Sequence, residues 1–462
     1  MQWDAIIIGS GISGSFFARE LTEAGLRCLI LESGLAYTPR TYPKHELEMN
    51  SHMFWDGGAE FNSDMNLALL RPKVVGGGSV INGGLLDRFD QMAWELFTED
   101  SGISFFNSKS IDPYYKKVLN QIHTETIPEK YANKNASIFK EGLKSQGYKY
   151  GSLLRAQKNC QYQDGNDCIE CLGGCKIGSK QSMLDSVLGE ALSSHSWLYT
   201  GFTVSNIKHY QDHVTVQGRN SLGHTEEFTA PRLILAAGSI GNTKILQSSH
   251  FNKKIKSIGH HFYNHPQWLT LARYAEKIRS FEGPLQTYKS NDPQFREKGF
   301  KLENVFAGPV ALSMIIPKHG LNHQEWMTHL SHTACIEVAI RDTTPGEIKT
   351  HRGKVTILKN ISNEDLKKRN EGFKIIDKIY HESGCLQTTK SDMAISLHLM
   401  GGCRIGSDDQ QSVVNENFQL HHHKNIFCAD SSIFPCAPGI NPSLTVMALS
   451  SMASQSVIRS FS

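Results

Sequence analysis

The sequence predicts an α/β protein in which a parallel sheet with flanking helices is interleaved with an antiparallel sheet backed by helices. Two short apolar runs near the N-terminus, residues 5–8 and 28–31, indicate buried parallel strands because each run is continuous rather than alternating. A glycine-rich turn and a helix-forming segment separate them. Farther along, strand-like runs at 305–316 and 333–340 and a hairpin pattern at 347–358 indicate the antiparallel sheet.

A long amphipathic helix is predicted after these strands. Ser362 followed by Asp365 is typical of a helix N-terminus, and Gly384 marks the end of the segment. Its apolar residues recur at helical spacing and would cover one face of the sheet: Leu366, Phe373, Ile376 and Tyr380.

The composition is that of an ordinary globular protein and argues against several classes of function. Of the 462 residues, 39% are hydrophobic and 20% charged, and the net charge is only +3. Basic residues are scattered, so no nucleic-acid-binding surface is expected. No stretch approaches the roughly 18 apolar residues that a transmembrane helix needs. No export leader precedes the first strand, and the expected location is the cytoplasm.

The turn after the first strand carries the glycine pattern GxGxxG of a dinucleotide-binding, Rossmann-like unit. Gly9 allows the tight turn, Gly11 lets the backbone approach a pyrophosphate, and Gly14 permits close packing of helix on strand. Ser13 lies at the N-terminus of the helix, where phosphate binds. Glu32 ends the second strand and can accept hydrogen bonds from a ribose. FAD and NAD share this pattern, so it does not choose between them.

A second glycine cluster, residues 74–84, is too rich in glycine for a regular strand or helix. Gly77, Gly78 and Ser79 are followed by Asn82 in this cluster. Backbone without side chains can lie close against a planar cofactor or its phosphates. We therefore expect this segment to line the cofactor site.

This cluster resembles the first signature of the glucose–methanol–choline (GMC) flavin oxidoreductases, in which a GGxSxxN stretch lines the isoalloxazine. Asn82 takes the asparagine position. Some members carry a histidine just before it that binds the flavin covalently. Ile81 occupies that position here, so the resemblance implies noncovalent FAD.

Other segments resemble the same family in the same order along the chain. Residues 202–207 resemble the strand whose valine, here Val204, meets the adenine. Residues 233–246 resemble the second signature and contain Gly238. Residues 425–435 resemble the strand that delivers an aspartate, here Asp430, towards the ribityl and pyrophosphate groups. Thr243 replaces the proline of most members, and the motif style is closest to the cholesterol oxidase and long-chain alcohol oxidase branches.

The resemblance also implies a discontinuous organisation. The FAD-binding domain would comprise residues 1–105, 155–265 and 392–462. The substrate-binding or cap region would comprise residues 106–154 and 266–391.

Two residues near the C-terminus carry the expected chemistry. In the resembling family the histidine of an HxxG stretch is catalytic, and its partner is a second histidine or an asparagine. Here they are His398 and Asn441, followed by Pro442, which fixes the direction of the chain beside the flavin. His398 is expected to remove the hydroxyl proton as the base, since an imidazole titrates near neutral pH and an amide does not. Asn441 would hold the alcohol oxygen.

The sequence therefore predicts an FAD-dependent oxidoreductase that acts on the CH–OH group of an alcohol and transfers hydride to the flavin N5. Oxygen or another acceptor would reoxidise the flavin. The alternative is an FAD-containing lyase similar to the hydroxynitrile lyases, which does no net redox chemistry. Residues 267–390, which match no signature, would line the substrate pocket and leave the alcohol unidentified.

A cysteine cluster has the spacing C-x7-C-x2-C-x3-C and leaves three interpretations open. Cys160, Cys168, Cys171 and Cys175 could ligate an iron–sulfur cluster, which would indicate a dehydrogenase with an additional redox centre. They could bind zinc, although two separate CxxC pairs are more usual. They could also form a structural loop near the flavin, as a similar stretch in long-chain alcohol oxidases implies.

Overall fold

The computed structural model describes residues 2–160 and 170–461. Their strands, in chain order, are β1 (Ala5–Ile8), β2 (Cys28–Leu31), β3 (Glu60–Phe61), β4 (Leu67–Leu69), β5 (Thr124–Thr126), β6 (Tyr150–Ser152), β7 (Leu154–Ala156), β8 (Ser196–Tyr199), β9 (Thr203–His209), β10 (Val214–Arg219), β11 (Thr225–Ala230), β12 (Arg232–Leu235), β13 (Tyr263–Asn264), β14 (Gln267–Arg273), β15 (Tyr288–Ser290), β16 (Phe300–Asn304), β17 (Thr333–Ile340), β18 (Glu347–His351), β19 (Lys354–Leu358), β20 (Gln387–Lys390), β21 (Ala394–Ser396), β22 (Leu399–Met400), β23 (Gln419–Leu420) and β24 (His423–Cys428).

The α-helices of the same residues are α1 (Ile12–Glu23), α2 (Glu46–Met53), α3 (Gly78–Ile81), α4 (Gln91–Ser101), α5 (Ser108–Leu119), α6 (Lys134–Ser145), α7 (Val187–Leu192), α8 (Gly238–Ser248), α9 (Pro293–Lys298), α10 (Pro309–Ile315), α11 (Gly320–Thr328), α12 (Asn363–Glu382) and α13 (Ser443–Arg459). In the part of the chain that the structure describes, no helix has the length and apolar character needed to cross a membrane.

The first sheet has the strand order β23-β24-β12-β1-β2-β8. Its strands pair in parallel except for β23 with β24. All four residues of β1 and of β2 are buried, as expected for strands covered on both faces. Helices α1 and α13 pack against each other beside this sheet, and the predicted parallel unit is present.

The second sheet is mainly antiparallel and has the order β3-β4-β21-β14-β17-β16-β15-β6, with β20 also paired to β14. Along β17, Ala334, Ile336 and Val338 join the apolar cluster beneath α12 and α6. The alternate residues Cys335 and Glu337 face the other way, as the two-residue period of a strand requires. The run predicted at 333–340 is thus a strand, and all of its residues are buried, so both faces of the sheet are covered at this point.

The strand-like run predicted at 305–316 is wrong for most of its length. Strand β16 ends at Asn304, and residues 309–315 form helix α10. Pro309 lies at the first helical position, where its missing N–H costs nothing and its fixed φ suits a helix. The Glu46 carboxylate accepts hydrogen bonds from the N–H groups of Val310 (2.7 Å) and Ala311 (3.0 Å). A distant side chain therefore stabilises a helix that the local pattern did not indicate.

The hairpin and the long helix were predicted correctly. Strands β18 and β19 pair from Glu347↔Leu358 to His351↔Lys354. Ser362 caps α12, because its hydroxyl accepts from Asp365 N (3.1 Å) and the Asp365 carboxylate accepts from Ser362 N (3.2 Å). This reciprocal pair is the capping box that the sequence indicates.

The two sheets share parts of the chain. Strands β3, β4 and β21 pair in the antiparallel sheet although they lie in the segments 1–105 and 392–462, which the sequence assigns to FAD binding. The strands of the parallel sheet all lie in the segments so assigned. The exact domain boundaries stay a prediction.

Replacing Gly14 with alanine is expected to destabilise the fold. A methyl group there would lie 2.0 Å from the Gly9 carbonyl oxygen, so strand and helix must separate. Overpacking of this kind costs about 1–3 kcal/mol or more. The matched control is Gly151→Ala in β6, where the nearest atom would be at an ordinary 3.8 Å. Thermal unfolding checks the pair, and equal midpoints for the two variants would contradict the expected clash.

Candidate active site

The first glycine-rich turn joins β1 to α1 and is held by a buried carboxylate. Gly9 has φ +100°, and a side chain there would meet the Ala236 carbonyl oxygen at 2.4 Å. One oxygen of Glu32 accepts hydrogen bonds from Ser10 N (2.9 Å) and Ser10 Oγ (2.8 Å). Its other oxygen accepts from Gly34 N (2.7 Å). Glu32 thus fixes the shape of the turn, and its contact with a ribose stays a prediction.

Two backbone segments meet beside this turn and form a cradle without side chains. A Cβ on Gly77 would lie 2.8 Å from Gly11 Cα, whereas the adjoining Gly78 faces open space. At the start of α1 the Ser13 hydroxyl is buried and has no hydrogen-bond partner among residues 2–160 and 170–461. An unpartnered hydroxyl at the N-terminus of a helix suits a phosphate group. The cradle therefore fits the diphosphate of a dinucleotide.

The second glycine-rich segment is hydrogen-bonded to Met183, in the part of the chain that follows the cysteine cluster. Ser79 Oγ donates to Gly76 O (2.6 Å) and accepts from Met183 N (2.9 Å). Gly76 N in turn donates to Ser10 Oγ (3.2 Å), which links the two glycine-rich segments directly. The predicted cofactor residues of both segments are thus brought together.

Lys180 is a buried cation that sequence reasoning did not assign to the site. Its ammonium donates to the backbone carbonyl oxygens of Val80, Asn82 and Cys171. Burial lowers the pKa of Lys180 to about 8. One side chain therefore joins the cysteine segment to the segment expected to line the flavin.

Asp430 and Gly238, both expected to bind the cofactor, contact each other. The Asp430 carboxylate accepts from Gly238 N (2.7 Å) at the start of α8, from Asn242 Nδ2 (2.9 Å) and from Ser432 N (2.8 Å). Burial raises the pKa of this carboxyl despite these hydrogen bonds. Val204 is buried in β9, in the small sheet β11-β10-β9. Direct contacts of Asp430 and Val204 with a cofactor stay predictions.

His398 is paired with a second histidine. His265 Nδ1 and His398 Nδ1 are 3.1 Å apart, so one proton lies between the two rings. Gly439 N donates to His265 Nε2 (2.9 Å), which leaves the proton of neutral His265 on Nδ1. His265 therefore donates to His398 Nδ1, and neutral His398 carries its own proton on Nε2.

Both rings are neutral at ordinary pH. Burial, and then the charge of Lys301, lowers the pKa of His398 to about 3. Burial also holds the pKa of His265 well below its usual value, and nearby positive charges, Lys301 among them, act in the same direction. The contact between His265 Nδ1 and His398 Nδ1 holds one proton, so it requires that both rings are neutral.

Asn441 is buried just before α13, and its amide is held in one orientation. Lys301 Nζ donates to Asn441 Oδ1 (2.7 Å), and Asn441 Nδ2 donates to Asp87 Oδ2 (3.2 Å). Pro442 is buried at the start of α13, directly after Asn441. The backbone of the same turn binds His265 through Gly439 N, so the hydrogen bonds that begin at His398 end two residues before Asn441.

The sequence did not reveal His265, Lys301 or Asp87 as site residues. His265 is one of 21 histidines in the chain, and no motif around it pointed to a catalytic role. Lys301 lies in the stretch without a signature, on the face of β16 opposite Leu302, which belongs to the apolar cluster beneath α12. Asp87 follows the second glycine cluster without a recognisable motif.

The cysteine cluster is described only in part, because Cys168 lies outside the described residues. Cys171 and Cys175 form a hydrogen bond that, together with burial, raises the pKa of the Cys175 thiol. Among residues 2–160 and 170–461, no group of three or more His, Cys, Asp or Glu side chains could hold a metal ion. The three contacts of Lys180 agree with the structural interpretation of this loop.

Comparison with protein families identifies the group to which this arrangement belongs. The N-terminal GMC oxidoreductase model matches residues 4–267, and the C-terminal GMC oxidoreductase model matches residues 336–450. The chain belongs to the GMC oxidoreductase family. This GMC protein is an FAD-dependent oxidoreductase, and the predicted family, FAD and Rossmann-like α/β fold are confirmed.

Individual relatives are distant in sequence and similar in fold. A long-chain-alcohol oxidase of Arabidopsis thaliana is 23% identical over 518 residues, which cover 100% of this GMC chain and 68% of the relative. A cholesterol oxidase of Mycobacterium tuberculosis is 25% identical over 279 residues, 53% of this chain and 47% of that protein. Pyridoxine 4-oxidase from Mesorbium loti superposes with a TM-score of 0.78 at 15% identity, covering 98% of this chain and 99% of that one. A fungal aryl-alcohol oxidase gives a TM-score of 0.71 at 13% identity, covering 100% and 99%.

Replacing Lys180 with methionine is expected to weaken FAD binding. The change leaves the buried carbonyl oxygen of Val80 and the half-buried ones of Asn82 and Cys171 without this donor. One buried acceptor left unpaired costs about 1–3 kcal/mol, so affinity should fall roughly tenfold or more. FAD content after purification and titration of the apoprotein with FAD measure the effect. Lys158→Met, an exposed lysine of the same region, is the control. Equal FAD affinity in the two variants would show that Lys180 does not support the site.

Proposed function

We propose that this enzyme oxidises a primary or secondary alcohol whose oxygen binds between His398 and Asn441. The observation that carries the proposal is the hydrogen-bond chain from His398 through His265 to Gly439, two residues before Asn441. These hydrogen bonds bring His398 close to the turn that carries Asn441, although the two residues are far apart in sequence and share no secondary-structure element. Both His398 and Asn441 lie in the C-terminal GMC segment. Lys301 donates a hydrogen bond to the Asn441 amide, and its charge lowers the pKa of His398.

The residues present fit FAD. Gly11, Gly77 and Ser13 would hold the diphosphate, and Asn82 and Pro442 would lie against the ring system. FAD, when bound, supplies the acceptor for the hydride that leaves the alcohol carbon. With Ile81 in the position of the covalently linked histidine, it is held noncovalently.

The role of His398 differs from the base expected from the sequence. A base at Nε2 needs a free lone pair there, but the hydrogen bonds of the histidine pair favour a proton on Nε2. The low pKa of His398 also makes it a weak acceptor. These observations support His398 as an N–H donor to the alcohol oxygen, beside the N–H of Asn441. The hydroxyl proton passes to solvent water as the hydride leaves the carbon, and the two donors stabilise the negative charge that develops on the oxygen.

The face of the sheet around Lys301 favours a lipophilic alcohol. Val305, Leu269 and Leu271 lie on the same face as Lys301 and belong to an apolar cluster with Trp326. An apolar chain would lie against this cluster with its hydroxyl at the polar end. The similarity to long-chain-alcohol oxidases and a cholesterol oxidase supports the same class.

An alcohol panel tests the proposal. Under anaerobic conditions, a long-chain alcohol or a sterol should bleach the flavin, whereas a lyase would bind its substrate without bleaching. Reoxidation with oxygen and with an artificial acceptor separates an oxidase from a dehydrogenase. Iron analysis of the same sample tests the alternative of a dehydrogenase with a cluster at Cys160, Cys168, Cys171 and Cys175. Failure of every alcohol to bleach the flavin would overturn the proposal.

Two substitutions of His398 separate the donor from the base. His398→Ala removes both functions and should slow flavin reduction by orders of magnitude while FAD stays bound. His398→Gln keeps an N–H donor but cannot act as a base, so it should retain clearly more activity than the alanine variant. Stopped-flow reduction at saturating alcohol measures both rates. Equal rates for glutamine and alanine would restore His398 as the base.

A further inference from the structure

We propose that Lys301 is a positioning residue of this site, which holds the Asn441 amide as an N–H donor and places a fixed positive charge beside the histidine pair. The proposal rests on the proposed alcohol oxidation. It concerns a residue outside every signature that identified the family, because residues 268–335 lie between the two matched segments.

The orientation of Asn441 follows from the chemistry of its two neighbours. An ammonium can only donate, so the atom facing Lys301 must be the amide oxygen. The Asp87 carboxylate accepts, so the atom facing it must be the amide nitrogen. Asn441 is only 4% exposed, which leaves it no other solvation. One N–H of Nδ2 is used by Asp87, and the second remains for the alcohol oxygen.

The ammonium of Lys301 is itself held from the sheet. It donates to Glu303 Oε1 (2.7 Å), and Gln286 Nε2 donates to the other oxygen of Glu303 (3.0 Å). Burial opposes the charge of Lys301, but Glu303 and Asp87 outweigh it and raise the pKa of Lys301. The ammonium therefore stays charged throughout the usual pH range.

A second carboxyl group completes this arrangement without adding charge. Glu337 is directly opposite Glu303 across β16 and β17, and both are almost fully buried. Burial and the charge of Glu303 hold the pKa of Glu337 well above its usual value, which favours the protonated form and its hydrogen bond to Glu303. One carboxylate and one ammonium then face each other, and the positive end points at Asn441.

The same charge acts on the histidines. The groups that lower the pKa of the pair are Lys301 on β16, together with Arg296 and Arg341, which act on His265. Lys301 affects both rings. Removing it should raise the pKa of His398, so the ring becomes protonated at a higher pH. Protonation sets two N–H groups against each other in the contact between the rings and breaks it.

Lys301→Met and Lys301→Arg test the proposal in the FAD-bound enzyme. In Lys301→Met the rate of flavin reduction should fall roughly 10–100-fold. KM should change little, since the Asn441 N–H stabilises the alcohol oxygen mainly in the transition state. The acid limb of its pH–rate profile should move to higher pH. Lys301→Arg keeps the charge and should keep the acid limb of the wild type. Lys390→Met on β20, whose lysine pairs with Asp377, is the matched control and should change neither quantity.

Two further measurements keep the test decisive. Titration of the His398 resonance by NMR, assigned with His398→Gln, reports the pKa without any substrate and should move upward in Lys301→Met. If Lys301→Met does not fold because Glu303 is left unpaired, Lys301→Met combined with Glu303→Gln replaces it. An unmoved His398 titration, or flavin reduction within about twofold of the wild type, would overturn the role of Lys301. Failure of the wild type to react with alcohols would instead overturn the proposed function and leave the NMR comparison valid.

Discussion

The close approach of two glycine-rich turns is the constraint on which the site depends. Gly11 and Gly77 approach so closely that a Cβ on Gly77 would lie 2.8 Å from Gly11 Cα, and Ser10 links their segments by accepting from Gly76 N. Glu32 holds Ser10 from the neighbouring strand. Three hydrogen bonds from Lys180 then join the cysteine segment to residues 80 and 82 of the second glycine-rich segment.

The charges near Asn441 are tolerated because each has a partner. Asp87 pairs with Lys289, and Glu303 pairs with Lys301, so the neutral amide lies between two balanced ion pairs. An unpaired charge in the same place would cost several kcal/mol in desolvation. Because Glu303 pairs with it, the Lys301 ammonium stays charged in a buried place beside two neutral imidazoles.

Local patterns in the sequence predicted the elements whose cause is local. The turn at Gly9 and the capping box at Ser362 each depend on neighbouring residues, and both are present as predicted. The run at 305–316 could not be predicted, since α10 is capped by Glu46 from a distant part of the chain. Lys301 and His265 were missed for the same reason: their roles come from contacts with Asn441 and His398, which no local spacing encodes.

The order of strands in the first sheet has a consequence for how the protein is made. Strand β1 pairs with β12, which in turn pairs with β24, so the sheet is completed only after most of the chain exists. Helix α13, which begins directly after Asn441 and Pro442, then packs on α1 beside the first turn. Such long-range pairing gives a high contact order and slow folding. A nascent chain can pair β1 with β2 early, but the other edge of β1 stays unpaired until β12 has been made, and protection by a chaperone would matter most in that interval.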